Sequence, residues 1–164
     1  MILGVDLSTK AIDLVALDED TPSQFEHLRI VLPGWGWWAS ANNMVTLLHE
    51  HLAYKWMNDR NIYLAGIERP YGQHRQAIAS LHTILGGLLS SLPVRITAYE
   101  ISPADMRREL GLPGNCKKDV MHQAVLYRVS PAIPWPFTSA DAADAWAAGH
   151  AALRINERGI KEAD

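Results

Sequence analysis

The run Ser139-Ala-Asp-Ala-Ala-Asp-Ala-Trp-Ala-Ala-Gly-His150 constrains the fold more than any other segment of this chain. Alanine is the strongest helix former and carries almost no bulk, so the run predicts a helix buried against another layer. A buried helix has no ordinary use for carboxylates, yet this one carries Asp141 and Asp144. At a spacing of three residues both lie on one face, and the alanines between them leave room for a close approach. Two carboxylates about 5 Å apart repel by roughly 3 kcal/mol at an effective dielectric near 20, and burial raises that cost. A hard divalent cation cancels it. The segment also admits a structural reading, with Asp141 as an N-cap after Thr138-Ser139 and Asp144 as an exposed acid complementing the helix dipole.

At 164 residues the chain has the size of one domain that can bury a substantial core. Cys116 is the single cysteine, which excludes an internal disulfide and a cysteine-rich zinc site and suits a reducing compartment. A cytoplasmic location is expected. Residues 1–6 are too short and too soon charged for a signal peptide, and no later apolar stretch reaches membrane-spanning length without a charge or a breaker. The net charge of −3 gives no global attraction to nucleic acid, so any such partner must meet a local basic surface.

Residues 2–7, 11–17 and 27–32 are short β-compatible runs joined by turns, which predicts an antiparallel meander. From Ser40, a candidate N-cap, the period becomes helical, with Met44, Leu47, Leu48, His51, Leu52 and Trp56 recurring every three to four residues. Residues 61–67 are apolar without alternation, as in a strand covered on both faces, and Glu68 closes them. Helices are expected at 73–92, 103–110, 115–128 and 139–155, and a strand at 94–99. The order β-β-β-α-β-α-β-α-α-α implies an α/β fold with a mixed five-stranded sheet, three antiparallel strands then two parallel, and helices on both faces. The proline-rich 131–136 reads as a rigid connection into the last helix.

Asp6 near the end of the first strand and Glu68 at the end of the fourth each follow apolar residues, where buried backbone reaches the surface. Structural readings exist for both, a turn-forming Asp6 ahead of Ser8-Thr9 and a Glu68–Arg69 salt bridge. Taken together, Ile2-Leu-Gly-Val-Asp6, Ala65-Gly-Ile-Glu-Arg-Pro-Tyr71 and Asp141-Ala-Ala-Asp-Ala145 resemble the metal-binding motifs of the RuvC-type Holliday-junction resolvases. Residues 101–111 and 114–120 likewise resemble that family's proline-led short helix and its glycine-to-lysine segment. The similarity runs from Met1 to about Ala151. The chain departs from the family in having Leu7-Ser8-Thr9 where a proline-glycine pair is usual, and in its acidic balance.

The resemblance implies an RNase H-like nuclease domain over 1–157, followed by a polar tail over 158–164. It implies that Asp6, Glu68, Asp141 and Asp144 hold two Mg2+ or Mn2+ ions, hard cations that prefer oxygen ligands. Such ions serve in-line hydrolysis of a phosphodiester, leaving a 5′-phosphate. Lys118, in preference to Lys117, matches the lysine that approaches the scissile phosphate, and Tyr71 matches an aromatic set against the junction's bases. Arg69, Arg75, Arg107, Arg108, Arg128 and Lys117 are candidate phosphate contacts. Four-way or branched DNA is the implied partner. The apolar breadth of helix 73–92 predicts a homodimer through that helix, and a two-fold dimer suits a nearly two-fold junction.

Trp35, Trp37 and Trp38 fit packing or an interface, and His150 lies two turns beyond Asp144. Gly4-Val-Asp-Leu-Ser-Thr9 also resembles the first phosphate loop of actin-like ATPases. Those need a second lobe and a second glycine-rich loop, for which this chain has no room. A nuclease for other branched DNA and a non-catalytic junction binder are the remaining alternatives.

Overall fold

The structure, a computed structural model, describes residues 1–21, 23–32, 41–51, 53–71, 75–129, 137 and 139–163, without the side chains of 41, 42, 44, 45, 76 and 160–163. The tryptophans at 35, 37 and 38, the cap expected at Ser40 and the segment 131–136 lie outside the described residues.

Five strands, β1 (Ile2–Leu7), β2 (Ala11–Leu17), β3 (Phe25–Val31), β4 (Leu64–Glu68) and β5 (Thr97–Ile101), form one sheet in the order β3-β2-β1-β4-β5. The pairs β1–β2 and β2–β3 are antiparallel, and β1–β4 and β4–β5 are parallel. The expected mixed sheet is therefore present. The helices are α1 (Ala41–Glu50), α2 (Ala53–Asp59), α3 (Arg75–Ser91), α4 (Pro103–Glu109), α5 (Lys118–Val129) and α6 (Ala140–Ala163).

Alternation along each strand sends side chains to two cores. Leu3, Val5, Ile12, Leu14, Ala65 and Ile67 join residues of α1, α2 and α3 on one face, while Ile2, Val15, Leu17 and Leu64 join α4, α5 and α6 on the other. On the α6 face, β1 therefore reads Ile2-Gly4-Asp6 and β4 reads Leu64-Gly66-Glu68. In both strands a glycine precedes the acid by two residues.

That pattern explains the alanines of α6. A methyl group added to Gly4 would fall 1.8 Å from the carbonyl oxygen of Ala145, and one added to Gly66 would fall 2.1 Å from that of Ala148. Helix and sheet thus meet backbone to backbone, which only small residues on both sides permit. Ala142, Ala143, Ala145, Ala147, Ala148, Ala151 and Ala152 are all fully buried there, with Trp146.

Element ends differ from the sequence pattern where turns intervene. The single helix expected from residue 40 is two, α1 and α2. Asn61 takes a left-handed φ of 49° and the Ile62 N–H bonds the Met57 carbonyl, so β4 begins at Leu64 and not at 61. A bond from the Ile96 N–H to the Pro93 carbonyl delays β5 to Thr97, and one from Cys116 to Pro113 delays α5 to Lys118. Helix α6 runs to Ala163, through the segment expected as a polar tail. Arg158 bonds Glu109 at 2.6 Å and Tyr99 bonds Asn156 at 3.3 Å, which ties this extension to α4 and β5.

Candidate metal centre and groove

The β1–β4 register pairs Val5 with Ile67, which sets Asp6 beside Glu68 at the carboxyl ends of two neighbouring parallel strands. Helix α6 crosses above Gly4 with its first turns over these acids. Ser139 caps the helix by accepting the Ala142 N–H at 3.1 Å, so Asp141 is a first-turn residue and not the cap. One carboxylate oxygen from each of Asp6, Asp141 and Asp144 falls within a 4.8 Å span. Asp144 is 1% exposed, against the exposed position that a dipole partner would take. Nor do the structural readings of the other two acids hold: Ser8 shapes the turn after β1, accepting the Ala11 N–H at 2.9 Å, and Arg69 lies 3.5 Å from Glu100.

The cluster is strongly self-repelling. Burial, then the neighbouring Glu68, Asp144 and Asp141, push the Asp6 carboxyl up to about 9. Glu68 is likewise raised, chiefly by burial, although its hydrogen bond with Asp6 works the other way. The two titrate as a coupled pair, and both favour the protonated form more than a free carboxyl does.

Cationic side chains flank the acids. The Lys118 ammonium, at the start of α5, forms an ion pair with the buried Asp144 Oδ2 at 2.5 Å. Burial works against the Lys118 charge, but Asp144, Glu68 and Asp6 together raise its pKa. One helical turn on, His122 Nε2 lies 2.8 Å from Asp144 Oδ1. On the other side Arg29 of β3 reaches Asp141 Oδ2 at 3.2 Å.

Glu68, Asp144 and Lys118 border a cavity of about 250 Å³ with Tyr71, Pro103, Met106, Arg107 and Met121. A neighbouring cavity of about 490 Å³ shares Tyr71, Pro103 and Arg107 and continues along Gly114, Asn115 and Cys116. The two make a groove leading away from the acids. Tyr71 is 82% exposed beside it. Ser102, which accepts the Asp105 N–H at 3.1 Å, caps α4 and fixes one wall. Arg107 is held by donating to the Gly114 carbonyl at 3.0 Å.

The structure therefore brings Asp6, Glu68, Asp141, Asp144, Lys118, Tyr71 and Arg107 together. Lys117 is exposed next to Lys118, and Arg75 is exposed at the start of α3. Arg69 is engaged with Glu100, and Arg108 with Asp105 at 2.5 Å. Arg128 and His150 border a different cavity, where His150 stacks on Trp146 at 5.0 Å and burial pushes its pKa down to about 4. Sequence reasoning missed Asp13, His27, Arg29 and His122. A signal existed for Asp13, a lone acid in an otherwise apolar strand, and for His122, four residues after Lys118 on one helix face.

No protein-family model matches the sequence, and no curated protein matches it. Among solved structures the fold is similar to that of Thermus thermophilus RuvC, with a TM-score of 0.70 at 17% identity over 97% of each chain. It is also similar to T. thermophilus RuvC in complex with a Holliday-junction substrate, with a TM-score of 0.69 at 15% identity over 96% of this chain and 94% of that one. These likenesses establish the RNase H-like fold. Among the described residues no helix is long and apolar enough to cross a membrane.

Proposed function

We propose that this chain is a structure-selective endonuclease that resolves four-way DNA junctions by paired, symmetric, metal-dependent hydrolysis of phosphodiesters. The convergence of Asp6, Asp141 and Asp144 beside Glu68, at the head of a groove, carries this reading. The fit to a divalent cation is chemical: the donors are all carboxylate oxygens, three of them converge within 4.8 Å, and burial together with their mutual repulsion raises the Asp6 pKa, a cost that a bound cation would relieve. Asp6, Glu68, Asp141 and Asp144 would hold Mg2+ or Mn2+, two ions per site. When bound, such ions stabilise the attacking and leaving oxygens of an in-line displacement at phosphorus.

The protein's own side chains do the rest. Lys118 stands beside Asp144 and the groove, where its ammonium balances the charge on a phosphate's non-bridging oxygens. Arg107 on the groove wall neutralises a flanking phosphate, exposed Lys117 next to Lys118 is a further candidate, and this local charge offsets the acidic balance of the chain. Tyr71 offers its exposed ring to an unstacked base. Water adds its oxygen to phosphorus as the bond to the 3′ oxygen breaks, leaving a 5′-phosphate.

Paired cuts require paired sites. A homodimer through the helix at 73–92 supplies them, and α3 exposes Ala79, Thr83, Gly86 and Ser90 along one face, small residues that let a second backbone come near. The apolar breadth of the helix is not the support, because Leu81, Leu89 and Leu92 pack against this chain's own core.

The test is a synthetic mobile four-way junction incubated with protein and Mg2+, beside three-way, flap and linear DNA. Wild type is expected to make symmetric paired nicks in the four-way substrate, while Asp6→Asn and Asp144→Asn bind it without cutting. Undiminished cleavage by both variants overturns the site, and preferential cutting of flaps or forks overturns the substrate.

A further inference from the structure

Strand β2 is buried along its whole length, and in it the Asp13 carboxylate is 1% exposed. A carboxylate so placed is costly unless closely matched. Arg29 matches it, approaching Oδ1 at 3.1 Å and Oδ2 at 2.9 Å, while His27 Nε2 lies 2.7 Å from Oδ1. The match follows from register: Asp6 pairs with Asp13 and Asp13 pairs with Arg29, so the three stand in one row on the α6 face of the sheet. The same Arg29 Nη1 that holds Asp13 also donates to Asp141 Oδ2 at 3.2 Å.

We propose that Asp13 and Arg29 form a positioning relay for the Asp141 carboxylate, an inference that rests on the metal-site reading above. Asp13 fixes the guanidinium, and the guanidinium fixes the rotamer of Asp141, which is otherwise the most exposed acid of the cluster at 37% of its side chain. The charges of Asp13 and Arg29 cancel, so the relay orients Asp141 without adding net positive charge to oppose a cation. Arg29 engages Oδ2 of Asp141, while one oxygen of the same carboxylate lies within the 4.8 Å span shared with Asp6 and Asp144. Neither residue need touch substrate; both act through Asp141.

Calorimetric titration of the full-length chain with Mn2+, without DNA, tests the relay. Arg29→Gln is expected to weaken Mn2+ binding about 10- to 100-fold while its thermal unfolding remains cooperative. Among the described residues the hydrogen bonds of Arg29 to Asp13 and Asp141 all pass through one nitrogen, so Arg29→Lys should recover most of the affinity. The double variant Arg29→Gln/Asp141→Asn should bind no more weakly than Asp141→Asn alone, because the relay has nothing left to position. A folded Arg29→Gln protein with wild-type affinity, or losses that multiply in the double variant, overturns the relay while leaving the metal site standing. If Arg29→Gln fails to fold, Asp13→Asn/Arg29→Gln, which leaves no buried carboxylate without its cation, is crossed with Asp141→Asn and read the same way. Absence of Mn2+ binding by wild type overturns the metal site and the relay with it.

Discussion

The carboxyl of Asp6, pushed up to about 9 from 3.8, makes the metal-free protein sensitive to pH in an unusual direction. Below pH 3.8 the group is protonated in both folded and unfolded chains, and its contribution to stability is fully present. As pH rises the unfolded chain ionises first, and the contribution is lost steadily up to about pH 9. Asp6→Asn removes that penalty, so with chelator present its melting temperature should gain on wild type between pH 4 and 9; a constant gap contradicts the assignment. For the same reason Mn2+ binding at pH 7 should release protons, read as a dependence of the calorimetric heat on buffer ionisation enthalpy. Tyr71 tests a different property. At 82% exposure it adds little to stability, and Tyr71→Ala should leave the melting temperature unchanged while weakening junction binding by about 1 to 3 kcal/mol. At this scale the four acids were legible, because a charge amid apolar neighbours stands out in a sequence. Arg29 was not, because what it touches depends on how three strands align.

Among the elements, β4 and α3 hold glycines in opposite surroundings. Gly66→Ala would force its methyl against the Ala148 carbonyl, so a loss of about 3 kcal/mol or more is expected in urea unfolding. The helix must shift, and Mn2+ affinity should fall with it. Gly86 in α3 has nothing within 4 Å, and Gly86→Ala should stabilise an isolated chain by about 1 kcal/mol; a loss of stability that grows with protein concentration would instead mark that face as a contact between copies. The strands and their order were legible because the apolar runs were short and sharply punctuated. The break between α1 and α2 was not, since the apolar period continues through it without glycine or proline. The end of α6 was hidden for the opposite reason: its last residues are polar, and partners such as Glu109 on α4 hold them.

For the whole molecule, the proposed function sets an acidic chain against a polyanionic partner, and the groove bordered by Arg107 and Lys118 is where the two would meet. Arg107→Gln and Lys117→Gln should each lower the slope of log affinity against log salt by about 0.9 or less, whereas Arg69 and Arg108, already paired with Glu100 and Asp105, should change it less. Equal slopes for all four variants would contradict the groove as the DNA path. Sedimentation at micromolar concentration should give the mass of two chains, and a monomer would sink the dimer. The contact of α6 with Gly4 and Gly66 bears on all of this. Because backbone meets backbone there, the distance between helix and sheet is a ruler with no adjustable part: no side chain exists to be trimmed or lengthened. Other regions of this protein can drift in sequence by exchanging one core residue for another, but the spacing that brings Asp141 and Asp144 to Asp6 cannot be retuned gradually. It is kept whole or lost.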